Sequence, residues 1–196
     1  MNYLPFWNPS APFQVDRRTY LIPPPIPLVR NQSMPSNTLS PPAKIATAGM
    51  SEVVFVGDAE LARCVVGSCI ALVLFHARLH LGVLAHIVLP HVDGRTGPPG
   101  KFADTAVPHM LQLLSRHRAT ISGLKAKMCG GAAMFGSDGP IQIGARNVAE
   151  VTRQLDLASI PIVGQHVGGS KGRRVTFTPT SGEVSIEIIG QRKEVI

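Results

Sequence analysis

Cys69 and His86 are the two side chains of this sequence whose types and placement allow a nucleophile and a base to meet. Cys69 ends the run Gly67-Ser68-Cys69, where a turn of small residues enters the apolar stretch Ile70-Ala71-Leu72-Val73-Leu74-Phe75. A thiol at such a strand end can be presented to a substrate, and the backbone amides of Gly67 and Ser68 beside it could receive an oxyanion. The same cysteine also fits a core position, where a free thiol behaves as a small hydrophobe. Register separates the two readings. If residues 69–75 and 80–86 pair as an antiparallel hairpin over residues 76–79, Phe75 faces His80, Val73 faces Gly82 and Cys69 faces His86. Direct cross-strand neighbours stand roughly 4.5–5.5 Å apart at Cβ, and a slip of one residue would send the two side chains to opposite faces. In that register His86 could lower the thiol pKa, form a thiolate–imidazolium pair and later protonate a leaving group.

Two of these residues also enter a rival arrangement. Cys64 and Cys69, followed by His86 and His91, superficially match a Cys2His2 zinc spacing. The intervening residues read as an apolar hairpin rather than a finger, and Pro90 breaks the segment where a helix would hold the histidines, so no metal and no cofactor is expected. His76 and His80 flank the hairpin turn and are expected to be solvated; Cys129 is expected to be buried and inert. The run Gly168-Gly169-Ser170-Lys171-Gly172 lacks Walker spacing and reads as turns.

The elements that must position the pair follow from periodicity. Residues 53–56 form a short strand, and residues 65–75 a longer run interrupted only by Gly67 and Ser68. Residues 80–89 alternate, with Leu81, Val83, Ala85, Ile87 and Leu89 on one face and His86 on the other. After a glycine and proline loop, Asp104 caps a helix to about Arg118; residues 125–129 are a buried strand; Asn147 caps a second helix, residues 148–157. A strand at 160–167 precedes a terminal hairpin of residues 174–178 and 184–189 over Thr180-Ser181-Gly182. Strands outnumber helices and several join as hairpins, which places the chain in the α+β class with mixed sheets.

The 196 residues suffice for one domain with a core plus an appendage. Ten of the seventeen prolines fall in the first fifty residues, so residues 1–49 are expected to be a disordered, proline-rich extension and residues 50–196 the domain. Either that extension comes from an upstream start codon, with the chain proper beginning at Met50, or it is a docking arm anchored by Trp7 and Phe13. The net charge of +7 is scattered rather than clustered, and with 5% aromatic residues the chain lacks the stacking platforms of nucleic-acid binders. No secretory signal is visible, and the longest apolar run, residues 70–75, falls far short of the roughly 18–20 residues of a membrane helix. Three cysteines without a signal point to free thiols in a reducing cytoplasm.

Five motifs in order carry a family resemblance: Val66-Gly67-Ser68-Cys69-Ile70-Ala71, Ala85-His86-Ile87-Val88-Leu89-Pro90, Lys127-Met128-Cys129-Gly130-Gly131-Ala132-Ala133-Met134-Phe135, Ile143-Gly144-Ala145-Arg146-Asn147-Val148, and Val167-Gly168-Gly169-Ser170-Lys171-Gly172-Arg173-Arg174-Val175. From about Ser51 to Ile189 the chain resembles CheD, the chemoreceptor glutamine deamidase family of bacterial chemotaxis. The resemblance implies layered mixed β-sheets with flanking helices, a fold similar to a toxin-deamidase type of cysteine hydrolase. It implies that Cys69 is the nucleophile and His86 the general base and acid, converting receptor glutamines to glutamates. It also implies chemoreceptor cytoplasmic domains as partners, and a CheC-type phosphatase as a further contact. The alternative within the same family is a weakly active or inactive binding module that docks on those partners. One departure stands out: the family has a threonine five or six residues before the cysteine, where this chain has Arg63 and Cys64. The orienting role would then pass to Cys64, to Ser68 or to a backbone carbonyl.

Overall fold

The computed structural model describes residues 43–134 and 142–196. Two five-stranded sheets and two α-helices make three layers, in agreement with the α+β expectation. The outer sheet contains β1 (Lys44–Thr47), β3 (Glu60–Val66), β8 (Arg173–Thr178), β9 (Glu183–Glu187) and β10 (Glu194–Val195), in that order. The inner sheet runs β2 (Val53–Val56), β5 (Leu81–Ile87), β4 (Ile70–His76), β6 (Leu124–Gly130) and β7 (Ile162–Val167). Helices α1 (Ala103–Arg116) and α2 (Ile143–Leu157) cover the other face of the inner sheet.

β4 explains why its sequence is an unbroken apolar run rather than an alternating one. Ile70, Leu72 and Leu74 face the helices with Met110, Leu114, Val151 and Leu155, while Ala71, Val73 and Phe75 face the outer sheet with Cys64, Val175 and Phe177. A strand buried on both faces has no polar side to display. Where the sheets pass closest, only glycine fits: a Cβ on Gly82 would stand 2.6 Å from the Phe177 ring and 2.9 Å from the Leu74 carbonyl oxygen.

Several expectations need correction. The run expected over residues 65–75 is two strands in two different sheets, because the chain bends at residues 67–69 and crosses from β3 to β4. Register differs as well: Ala71, not Cys69, lies opposite His86, and Phe75 lies opposite Gly82. The turn causes this. β4 extends through His76, a 3-10 turn occupies Ala77–Leu79, and His80 takes a left-handed conformation (φ 50°) before β5 starts at Leu81. The strands are therefore offset by two residues from the simple hairpin, so that Ala71 takes the place opposite His86 and Cys69 falls in the bend ahead of β4. His76 is buried rather than solvated.

The boundary expected between residues 49 and 50 falls inside the fold. β1 pairs in parallel with β3, Lys44 opposite Glu60 and Thr47 opposite Arg63, and the Ala48 side chain is buried between the sheets. The rest of the expected extension, residues 1–42, lies outside the described residues. The helices begin ahead of their expected caps. Asp104 lies inside α1 and accepts the Val92 amide with both carboxylate oxygens (3.2 and 3.0 Å), while Asn147 lies within α2.

Candidate active site

Cys69 sits at the end of the bend between β3 and β4, half-buried at the rim of the layer between the two sheets. The bend is fastened through its carbonyls. Gly67 O accepts from the Ala132 amide (2.8 Å), Ser68 O from the Asn147 side chain (3.1 Å) and Cys69 O from the Gly131 amide (2.9 Å). Gly130 makes this possible: its φ is 118°, and a Cβ there would lie 2.1 Å from the Cys69 carbonyl oxygen. A second brace comes from the Gly168-Gly169 turn, where Gly168 donates to Gly130 O (2.9 Å) and Ala133 donates to Gly169 O (2.8 Å). That turn is held in place by the buried Arg173, whose guanidinium donates to the carbonyls of His166, Gly168 and Lys171.

His86 is 5% exposed and its backbone is clamped to the segment ahead of β2, with Ser51 N–H donating to His86 O (3.0 Å) and His86 N–H to Glu52 O (2.9 Å). Its Nδ1 lies 3.5 Å from the Ala48 carbonyl oxygen. A carbonyl only accepts, so this contact is a hydrogen bond in the tautomer that carries the proton on Nδ1 and leaves the Nε2 lone pair free. In an antiparallel ladder, a residue two places from the direct partner is a diagonal neighbour, roughly 7–8 Å away between backbones and closer between side chains. Cys69 lies one residue ahead of the ladder, which opens at Ile70, and packs on the same cluster between the sheets as Ala71, the direct partner of His86.

Burial governs the charge state of both groups. It lowers the His86 pKa below the usual histidine value, against the Ala48 hydrogen bond and the Glu52 carboxylate, which pull the other way. It raises the Cys69 pKa, against a smaller opposing effect of the residue's own backbone amide. Both shifts favour the uncharged form of each group.

Cys64, Arg63 and the zinc set resolve differently. Cys64 points into the layer between the sheets, fully buried, with its thiol pushed up to about 12 by burial and then by the nearby Cys129 and Cys69. It packs in the core beside Val175, its cross-strand neighbour. Arg63, on the opposite face of β3, donates from Nε to its cross-strand neighbour Thr176 Oγ1 (3.1 Å). His91 lies 3.9 Å from Asp104 and 3.7 Å from Glu150, so the Cys2His2 spacing is not gathered in space. Among the described residues no group of three or more histidine, cysteine or acidic side chains is placed to hold a metal ion. Glu150 is itself buried; burial works against its charge, but hydrogen bonds from Arg153 and Gln154 and the nearby His91 hold its pKa below the usual range.

Two groups escaped the reading from sequence. The Ala48 carbonyl lies in a segment assigned to the proline-rich extension, where a backbone atom leaves no mark. Asn147 was taken for a helix cap, although a continuous helical pattern from Ile143 would have placed it inside α2.

The family model described as CheD chemotactic sensory transduction matches residues 88–188. The chain is 37% identical over 163 residues to a probable chemoreceptor glutamine deamidase CheD of Geobacillus kaustophilus, covering 78% of this chain and 98% of that protein. It is 37% identical over 124 residues to the chemoreceptor glutamine deamidase CheD of Thermotoga maritima, covering 63% of this chain and 78% of that one. A probable chemoreceptor glutamine deamidase CheD of Clostridium botulinum is 40% identical over 129 residues, covering 63% of this chain and 80% of its own.

Proposed function

The chain belongs to the CheD family, and from that premise we propose that it is a cytoplasmic hydrolase that deamidates glutamines in chemoreceptors, with Cys69 as nucleophile and His86 as base and acid. What supports the reading is a half-buried thiol one residue ahead of β4, packed on the same cluster as Ala71, whose cross-strand partner is the buried His86, with Nδ1 of that imidazole facing a carbonyl. His86 Nε2 takes the proton of the Cys69 thiol as sulfur attacks the glutamine carboxamide carbon, so that the thiolate need not exist in the resting enzyme. The oxyanion that forms is received by the amides of the Gly67–Cys69 bend, whose carbonyls are already engaged elsewhere. His86 returns its proton to the amide nitrogen, the carbon–nitrogen bond breaks and ammonia leaves. Water then attacks the thioester while His86 accepts its proton; the proton passes to sulfur, and glutamate and free Cys69 result.

The test is mass spectrometry of a receptor cytoplasmic fragment incubated with the protein. Specific glutamines should gain about one mass unit, and neither Cys69→Ala nor His86→Ala should produce the gain. An unchanged fragment with the wild-type protein would sink the proposal. A second reading, a docking module on receptors or on a CheC-type phosphatase, is favoured by one observation: the position where the family has threonine holds Arg63, engaged with Thr176. It predicts binding to the fragment with no mass gain.

A further inference from the structure

Asn147 is the fifth residue of α2, in the body of a helix where asparagine is a poor former, and it is fully buried. Its Nδ2 donates to two carbonyls at once, Ser68 O at 3.1 Å and Val88 O at 3.0 Å. Its Oδ1, also buried, has no partner among the described residues. A helix face selected for packing alone would carry alanine or leucine here and would incur neither the weak propensity nor the orphaned acceptor. What the amide provides is a link between segments that meet nowhere else in this way. Ser68 immediately precedes the nucleophile, and Val88 lies two residues beyond the base, just past the end of β5. Both targets are carbonyls just outside the strands, so the ladder itself does not bind them. Only a group with two hydrogens on one nitrogen can serve two such acceptors; a hydroxyl offers one hydrogen and a carboxylate none.

We infer that Asn147 is a positioning residue, which ties the Cys69 bend to the His86 strand and thereby sets the alignment of thiol and imidazole. The role rests on the Cys69–His86 reading above. It acts on the chemical step and leaves substrate binding unchanged, because Asn147 is buried and reaches substrate nowhere.

The experiment uses the full chain and its Asn147→Ala, Asn147→Ser and Asn147→Asp variants, with His86→Ala as reference. Circular dichroism establishes folding. Deamidation of the receptor fragment gives kcat and KM, and the pH dependence of Cys69 alkylation by iodoacetamide gives a readout that needs no deamidation. In the wild type that profile carries an inflection from His86, absent in His86→Ala. Asn147→Ala should lower kcat by roughly 10- to 100-fold with KM within about twofold. Its alkylation profile should collapse onto that of His86→Ala, and Asn147→Asp should be no better. Asn147→Ser, which keeps a donor for one carbonyl, should fall between, and it is judged by the same two readouts if the alanine variant does not fold. The inference is overturned if folded variants keep kcat within about twofold, or if their alkylation profiles keep the His86 inflection. A wild-type protein that deamidates nothing defeats the proposed activity, while the alkylation profiles still decide the role of Asn147.

Discussion

The rim and the interior of the layer between the two sheets hold the same chemical group in different states. At the rim, Cys69 is half-buried in a bend; inside, Cys64 and Cys129 are buried, and burial pushes each thiol up to about 12, in Cys129 against the pull of the Arg173 guanidinium. No charged partner singles out Cys69, whose pKa is also raised. Its distinction is positional: the chain leaves one sheet for the other there, and the strand end opens towards solvent. Under the proposed mechanism, nucleophile selection in this fold is a matter of where the bend falls, with the base supplying activation only when a substrate is present.

Substitutions can break that comparison. Cys69→Ala should reduce deamidation by at least about 10⁴-fold, as loss of a nucleophile does elsewhere, with thermal stability retained. Cys64→Ala and Cys129→Ala should leave it within about threefold, and a loss at either comparable to that at Cys69 would end the distinction between rim and interior. In urea titrations the ranking inverts. Cys64→Ser and Cys129→Ser each bury a hydroxyl and should lower the unfolding free energy by about 1–3 kcal/mol, whereas Cys69→Ser should stay within about 0.5 kcal/mol.

Smaller effects sharpen the base side of the same comparison. A chain starting at Met50 lacks the Ala48 carbonyl, so His86 loses the acceptor that fixes its tautomer; kcat should fall about tenfold relative to a chain starting at residue 43. Equal rates for the two would show that the carbonyl has no orienting role. The smallest effect is on pH. Because burial lowers the His86 pKa, the imidazole stays neutral as pH falls through the ordinary histidine range, and the acid limb of kcat/KM should have its midpoint below 6.5. A midpoint above that value would contradict the lowering of the His86 pKa by burial.

Much of this arrangement was legible in the chain. The apolar run of β4, the alternation of β5, the terminal hairpin and the α+β class all follow from periodicities that packing enforces. The antiparallel pairing of β4 with β5 was also legible. The exact opposition was not: a left-handed His80 and a 3-10 turn at Ala77–Leu79 leave little mark on composition, and they move the pairing by two. β1 was hidden among prolines, since four residues that gain their order from parallel pairing with β3 show no pattern of their own. Asn147 was visible as a residue but not as a contact, because its partners are carbonyls about 60 and 80 positions away along the chain, distances that no local spacing rule reaches.

The pairing of β3 with β8 joins Ala62 to Phe177, and the brace under Cys69 needs the turn at Gly168-Gly169. Contacts so distant in sequence form late, since chain entropy must be spent before they yield anything. During synthesis from the N-terminus, the segment bearing Cys69 emerges long before the residues that fasten it. The bend acquires its working shape only when the last quarter of the chain has left the ribosome, so a truncated product would carry the cysteine without the site.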